Sequence, residues 1–325
     1  MSVKTRFVVL SDTHFEAPQA HGSRRATDLS WWNRMLFSRQ GEIVQSLVAT
    51  VTDLAPDFVI HCGDFTNRGD VESFLFGREV MDRLGCPFYI VLGNHDTFRR
   101  GTRKAVAPVF GLSEGKFYYR RDLAGFRFVF LDCAYWMTRE GGESEQLPGP
   151  DERLGIGPSR EEIDWLRREM DDATEMPTFV VTHPPICAKP AYPIGSLPSC
   201  TRIESTPPAR PVLDAPLTPC AIPLSLRSKA LLQIISRAPD VKAVFAGHWH
   251  INDATLSNGI LHCQAASLIE FPFEMRLVEI DDRVMSVTAV GLNDASLREA
   301  SLVPQWKNQW VEGEPEDRDL TVSLA

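Results

Sequence analysis

Short apolar runs and helical stripes alternate along the first third of the chain. Phe7-Val8-Val9-Leu10 is a continuous apolar run ending at Ser11-Asp12, the pattern of a strand buried on both faces. Ile43, Leu47, Val48, Val51 and Leu54 then recur at helical spacing within 42–54. Phe58-Val59-Ile60 predicts a second strand, closed by His61-Cys62-Gly63-Asp64. Over 70–84 an amphipathic helix is expected, with Val71, Phe74, Leu75, Val80 and Leu84 on its apolar side. Phe88-Tyr89-Ile90-Val91-Leu92 predicts a third strand, closed by Gly93-Asn94. This β-α-β-α-β order argues for a layered α/β fold.

The middle of the chain reads differently. Phe117-Tyr118-Tyr119 and the run from Phe126 to Leu131 flank a turn at Ala124-Gly125, as in an antiparallel pair. Residues 159–171 read as a helix, with Ser159 and Glu162 spaced as a capping box. Thr178 to Thr182 predicts a strand ending at His183. A helix over 225–237, begun by Ser225, precedes a strand from Val241 to Ala246 that ends at Gly247-His248. From about 254 to 290 short strands alternate with turns. Two layers of sheet flanked by helices fit this order, as one domain over 1–299 without internal repeats.

Two insertions break the pattern. Residues 184–223 hold 11 prolines and no periodicity, which predicts a long irregular loop beside His183. Residues 15–40 carry Trp31-Trp32 and Met35, Leu36 and Phe37, read as core packing, with a lid as the alternative. The tail over 300–325 reads as irregular.

Composition narrows the function. The 325 residues carry a net charge of −9, and no strongly basic stretch offers a phosphate-tracking groove, so general nucleic-acid binding is not expected. Arg99, Arg100, Arg103 and Lys104 form a local basic cluster, read as a solvated face, with Arg99 and Arg100 as weak candidates for pairing with a substrate phosphate. The seven cysteines are scattered without a CxxC pair, which argues against a zinc knot or disulfide framework. The first residues lack a leader's apolar core, and no apolar run reaches membrane-spanning length. A cytoplasmic protein is the simplest expectation.

The candidate chemistry sits where the predicted strands end. Asp12-Thr13-His14, Gly63-Asp64, Gly93-Asn94-His95-Asp96, His183 and Gly247-His248-Trp249-His250 contain five of the eight histidines. Asp12 and His14, two apart on extended backbone, would point the same way. Gly63 permits a sharp turn before Asp64, whose two oxygens suit it to bridge two ions. Asn94 offers an amide oxygen, and His183, His248 and His250 offer imidazoles. Such a mixed oxygen and nitrogen set suits manganese, iron, zinc or nickel. Two such ions sit ~3.5–4 Å apart in two-metal hydrolases and clamp an in-line displacement at phosphorus, with a shared hydroxide as nucleophile. His95 is the candidate to aid the leaving oxygen, and Asp96 the carboxylate to hold its ring. His21, His61 and His262 are read as structural, and Trp249 as core.

These motifs, in this order, resemble the calcineurin-like metallophosphoesterases over roughly residues 6–290, and most of all their bacterial cyclic-nucleotide and glycerophosphodiester phosphodiesterase branch. The resemblance implies a four-layer αββα sandwich of two mixed sheets with the site on the strand ends. It implies one metal held by Asp12, His14, Asp64 and His250, and another held by Asp64, Asn94, His183 and His248. No ligand position is missing, which argues against members that serve only as binding scaffolds. The expected activity is hydrolysis of a small-molecule phosphodiester. A phosphomonoesterase is the alternative and a non-catalytic scaffold the outsider. Segments 15–40, 97–116, 133–158 and 184–223 would set the substrate, and the resemblance allows a homodimer.

Overall fold

The computed structural model describes residues 5–18, 34–113, 115–172, 176–187, 225–302 and 311–324. Trp31-Trp32, His21 and most of the proline-rich segment lie outside them. The first strands and helices are β1 (Thr5–Leu10), α1 (Gln40–Leu54), β2 (Phe58–His61), α2 (Val71–Asp82), β3 (Phe88–Ile90) and α3 (Thr102–Val106). The middle contributes β4 (Tyr119–Leu123), β5 (Phe126–Phe130), β6 (Tyr135–Thr138), β7 (Glu143–Ser144), β8 (Arg153–Gly157), α4 (Arg160–Asp171) and β9 (Thr178–Val181). Then come α5 (Ser228–Ile235), β10 (Val241–Ala246), β11 (Asp253–Ser257), β12 (Ile260–Gln264), β13 (Glu274–Asp281), β14 (Val284–Gly291), α6 (Ala295–Ser301), α7 (Pro315–Arg318) and β15 (Asp319–Ser323).

Two six-stranded sheets form the centre, in the orders β15-β14-β13-β1-β2-β3 and β11-β12-β10-β9-β5-β4. Both are mixed: β1, β2 and β3 run parallel, as do β5, β9 and β10, while β13 is antiparallel to β1. Alternation along each strand divides the apolar residues between two cores. Phe7, Val9, Phe58 and Ile60 meet Phe128, Phe130, Phe179, Val181 and Phe245 between the sheets. Val8, Leu10 and Val59 face Leu47, Val51, Phe74 and Val80 of α1 and α2. On the far side Val129, Val180 and Val244 face Leu166 of α4 and Leu231 and Ile235 of α5. The result is the expected αββα sandwich, and it explains why these strands read as unbroken apolar runs.

Several local expectations are corrected. The tail is not irregular at its end, because β15 pairs antiparallel with β14 from Thr288↔Asp319 to Val284↔Ser323. Its Leu320 and Val322 pack against the inter-sheet core, and only these two apolar positions marked the strand within an acidic stretch. The hairpin turns at Ala124 (φ 51°) and Gly125 (φ 85°) as expected, but its first strand is Tyr119–Leu123. That edge strand carries Arg120, Arg121 and Asp122 into solvent, so its sequence lacks an apolar run. On α2 Val71 and Leu75 are 38% and 47% exposed, because the buried stripe runs through Phe74, Gly77, Val80, Met81 and Leu84. Ser159 caps α4 by accepting from the Glu162 N–H at 3.1 Å. The helix after Ser225 starts only at Ser228, behind a left-handed Arg227.

Phe7 is fully buried at the middle of the inter-sheet core, stacked on Phe58 at 5.0 Å and edge-on to Phe128 at 5.5 Å and Phe245 at 5.9 Å. Replacing it with alanine removes these contacts and leaves a cavity that two sheets cannot close. Phe7→Ala is expected to cost about 3–5 kcal/mol, read as a lower urea midpoint at unchanged slope.

Candidate metal centre

Parallel pairing brings the carboxyl ends of β1, β2 and β3 in one sheet to the same edge as those of β9 and β10 in the other. The loops beyond those ends are tied together through their backbones. Asp12 N–H donates to the Gly63 carbonyl at 3.0 Å, His14 N–H to Asp64 at 3.0 Å, and Gly247 N–H to His183 at 2.9 Å. The His248 N–H donates to Asp12 Oδ2 at 2.9 Å and crosses between the sheets.

All seven expected ligands converge. Asp12, His14 and His250 form one group, Asp64, His183 and His248 another, and His14 and Asp64 also form a third with His95. In the first group His250 Nε2 lies 3.2 Å from Asp12 Oδ1 and 3.4 Å from His14 Nε2. In the second His183 Nε2 lies 3.2 Å from both Asn94 Oδ1 and His248 Nδ1. Asp64 stands between them, its Oδ2 3.8 Å from His14 Nε2 and its Oδ1 3.4 Å from His183 Nε2.

The backbone that achieves this is strained. Asp12 (φ 53°), His14 (φ 45°), Asp64 (φ 49°), His248 (φ 74°) and His250 (φ 58°) all occupy the left-handed region, which is unfavourable for residues with a Cβ and characteristic of functional sites. Asp12 and His14 therefore do not converge by extended alternation, as expected from their spacing. Each is turned inward by its own left-handed backbone after β1 has ended. Gly63 makes the turn expected of it, at φ 92°, and the motif glycines serve as clearances as well. A Cβ on Gly93 would lie 2.1 Å from Asp64 Oδ1, and one on Gly63 2.8 Å from the His183 ring.

Burial and mutual charge set the protonation of the metal-free groups. Burial opposes ionisation of Asp12 and Asp64, yet the charges of His250 and of His183 hold the two carboxyls below their ordinary range. Burial likewise opposes the charged ring of His183, but Asp64 raises it to about 9. His250 is also raised against burial, by Asp12 and by Glu270. His14 and His248 are depressed, His248 to about 3, first by burial and then by the neighbouring rings of His95 and His183 respectively. The donor set fits a cation: Asp12 Oδ1 is fully buried and faces a ring nitrogen of His250, and the adjoining ring nitrogens of His14 and His250 and of His183 and His248 face one another.

The remaining candidates divide. The partly exposed His95 borders the first group, its ring 4.6 Å from that of His14. Its Nδ1–H donates to the Asn67 carbonyl at 2.9 Å. Asp96 therefore does not hold that ring, which corrects its expected role. It accepts instead from Phe65 N–H (3.0 Å), Thr66 N–H (2.7 Å), Thr66 Oγ1–H (2.8 Å) and Gly93 N–H (2.9 Å), bracing one motif loop against another. Arg99 and Arg100 are exposed. Arg103 is not on a solvated face, since it is buried against Asp132 at 2.7 Å with its guanidinium 4.0 Å from the centre of the Tyr135 ring. His61 is structural as expected: its Nδ1 accepts from Gly63 N–H at 3.1 Å and its Nε2 meets Thr13 Oγ1 at 3.0 Å. His262 and Trp249 are buried. Glu270 escaped the sequence reading. It is buried behind His250, with Oε1 2.5 Å from Nδ1. The available signal was a carboxylate within the apolar run Leu268-Ile269-Glu270-Phe271.

Facing sheets with carboxylate, amide and imidazole donors, most of them buried, gathered at their strand ends define a metal-dependent hydrolase. The chain belongs to the calcineurin-like phosphoesterase family, whose model matches residues 5–252. It is 24% identical over 244 residues to a protein of Enterobacter lignolyticus named glycerophosphodiester phosphodiesterase, covering 74% of this chain and 69% of that one. It is 26% identical over 231 residues to a Mycobacterium tuberculosis protein named cAMP/cGMP dual specificity phosphodiesterase, covering 68% and 57% of the two chains. A dimetal phosphatase from Danio rerio shares the fold, with a TM-score of 0.63 and 15% identity over 99% of both chains. Among the described residues no helix is long and apolar enough to cross a membrane.

Gly247 tests the geometry. A Cβ there would lie 1.8 Å from Ser11 Oγ and 2.7 Å from Asp12 Oδ2. Gly247→Ala is expected to push the loop carrying His248 and His250 away from Asp12. Crystallography of the variant would show the His248 N–H bond to Asp12 lost, and thermal denaturation a lower Tm.

Proposed function

We propose that this protein is a binuclear-metal-dependent phosphoesterase that hydrolyses a phosphodiester. The observation that carries the reading is the Asp64 carboxylate, with one oxygen facing His14 and the other facing His183. Asp12, His14, Asp64 and His250 would hold one ion, and Asp64, Asn94, His183 and His248 the other. Manganese, iron or zinc suit such a set. When bound, the pair supplies charge neutralisation at phosphorus and an acidified water.

The protein's own groups do the rest. The Asn67 carbonyl holds the proton of His95 on Nδ1, which leaves Nε2 to exchange a proton with the leaving-group oxygen. Asp96 keeps the loops of Asp64 and Asn94 in register. Thr97 fixes the far side of the His95 turn by accepting from Trp136 Nε1–H at 3.0 Å. The diester reading draws on the phosphodiesterase names of the two relatives, and a phosphomonoesterase is the competing outcome.

Asn94→Ala is expected to lower kcat/KM by about 100-fold or more, at least what loss of a supporting residue costs. Bis(p-nitrophenyl) phosphate should be turned over faster than p-nitrophenyl phosphate. The reverse order would assign a monoesterase, and full activity of the Asn94 variant would remove the reading.

Metal uptake should depend on pH with a definite sign. His183 is raised to about 9 and His250 above its ordinary value in the metal-free protein, so both rings carry protons near neutrality that a cation must displace. Affinity should rise from pH 6 to pH 9 with net proton release, which calorimetry in buffers of different ionisation enthalpy measures. Uptake without proton release would contradict this account.

A further inference from the structure

We infer that Glu270 is a positioning residue for His250, fixing which ring nitrogen carries the proton and aiming the other at the Asp12 and His14 group. The inference rests on the proposed metal-holding role of that group. His250 Nδ1 lies 2.5 Å from Glu270 Oε1, and Nε2 lies 3.2 Å from Asp12 Oδ1 and 3.4 Å from His14 Nε2. The Glu270 oxygen accepts from Nδ1–H, which fixes the ring with its Nε2 edge on the Asp12 side.

The arrangement differs from that of the other rings. His183 donates Nδ1–H to the Cys62 carbonyl at 2.8 Å, and His95 donates to the Asn67 carbonyl, both neutral acceptors. The buried Nδ1 of His14 has no partner. Among the described residues, His250 is the ring of the centre backed by a carboxylate outside the ligand set. A carboxylate behind an imidazole makes the far nitrogen a better donor, besides orienting it.

Glu270 is placed rigidly enough for this task. Ser267 Oγ–H donates to the Asp12 carbonyl at 3.0 Å, Leu36 N–H to the Ile269 carbonyl at 2.9 Å, and Phe271 N–H to Ser301 Oγ at 2.7 Å. The segment therefore registers Glu270 against the Asp12 loop and against α6 at once. Glu270 is 1% exposed and its Oε2 has no hydrogen-bond partner. A buried carboxylate oxygen left unsatisfied is costly, and a purely structural role accounts for neither that cost nor the orientation toward a ring.

The test titrates manganese into metal-stripped full-length protein by calorimetry, comparing wild type with Glu270→Gln and Glu270→Ala. Glu270→Gln keeps the shape and an acceptor while removing the charge, so it separates folding from the effect on the ring. We expect affinity in one of two classes of site to fall by about 10–100-fold in Glu270→Ala, with a smaller loss in Glu270→Gln. Above the pH at which metal-free His250 gives up its second proton, its nitrogen resonances should show the Nδ1-protonated tautomer in wild type and a tautomer mixture in Glu270→Ala. A lower Tm with unchanged manganese affinity and unchanged tautomer in both variants would overturn the inference and leave Glu270 a core residue. Wild-type protein that takes up no second manganese ion would instead bring down the binuclear reading itself.

Discussion

The Asp64 carboxylate is the point on which this structure turns. It is a buried charge, and a charge removed from water persists only when its surroundings compensate it. Here the compensation comes from both sheets: His14 beyond β1 on one side and His183 beyond β9 on the other. The His95 N–H adds a hydrogen bond to Oδ1 at 2.8 Å. None of these groups can move independently of the others, because each rides on a loop bonded to its neighbour's backbone. A cation at either side would meet donors already facing it, which is how a site avoids reorganising during a reaction.

That preorganisation has an energetic cost, and the fold shows where it is offset. Five side chains of the centre stand on left-handed backbone, each unfavourable by roughly 1–2 kcal/mol. The offset lies directly beneath, in the aromatic core where Phe7, Phe58, Phe128, Phe179 and Phe245 interlock between the sheets. The buried polar groups around the centre follow the same logic. Asp96, pushed to about 7 by burial and by the charge of Asp64, is retained because four donors from two motif loops converge on it.

Elements outside the sandwich extend this rigidity. The small sheet β7-β6-β8 leans on the His95 turn through Trp136 and Thr97, and Arg103 ties α3 to Asp132 and to the Glu145 carbonyl. At the other end, the last described residues close over the loop after His250. Asn252 N–H donates to the Val311 carbonyl at 2.9 Å, and the fully buried Arg276 donates to the carbonyls of Gln264 and Asp317. The C-terminal strand is thus part of the sheet that presents Asp12 and Asp64, rather than an appendage.

Sequence alone determined the layers and the cast of the centre. Unbroken apolar runs such as Phe7–Leu10, bounded by turn residues, read as strands covered on both faces, and Asp12, Asp64, Asn94, His183 and His248 each follow such a run. Local pattern carries that information because side-chain periodicity is a property of neighbouring residues. Tertiary structure decided what depends on residues distant along the chain. Asp12 and His14 face inward through left-handed backbone held by Gly63 and Asp64, not through alternation. Asp96 braces loops rather than a ring because its donors come from residues 65, 66 and 93. Arg103 is buried because Asp132, 29 residues on, arrives beside it, and Glu270 meets a ring only because the loop after β10 delivers His250, 20 residues earlier, to it. Charge pairing and orientation are three-dimensional facts, and no periodicity records them.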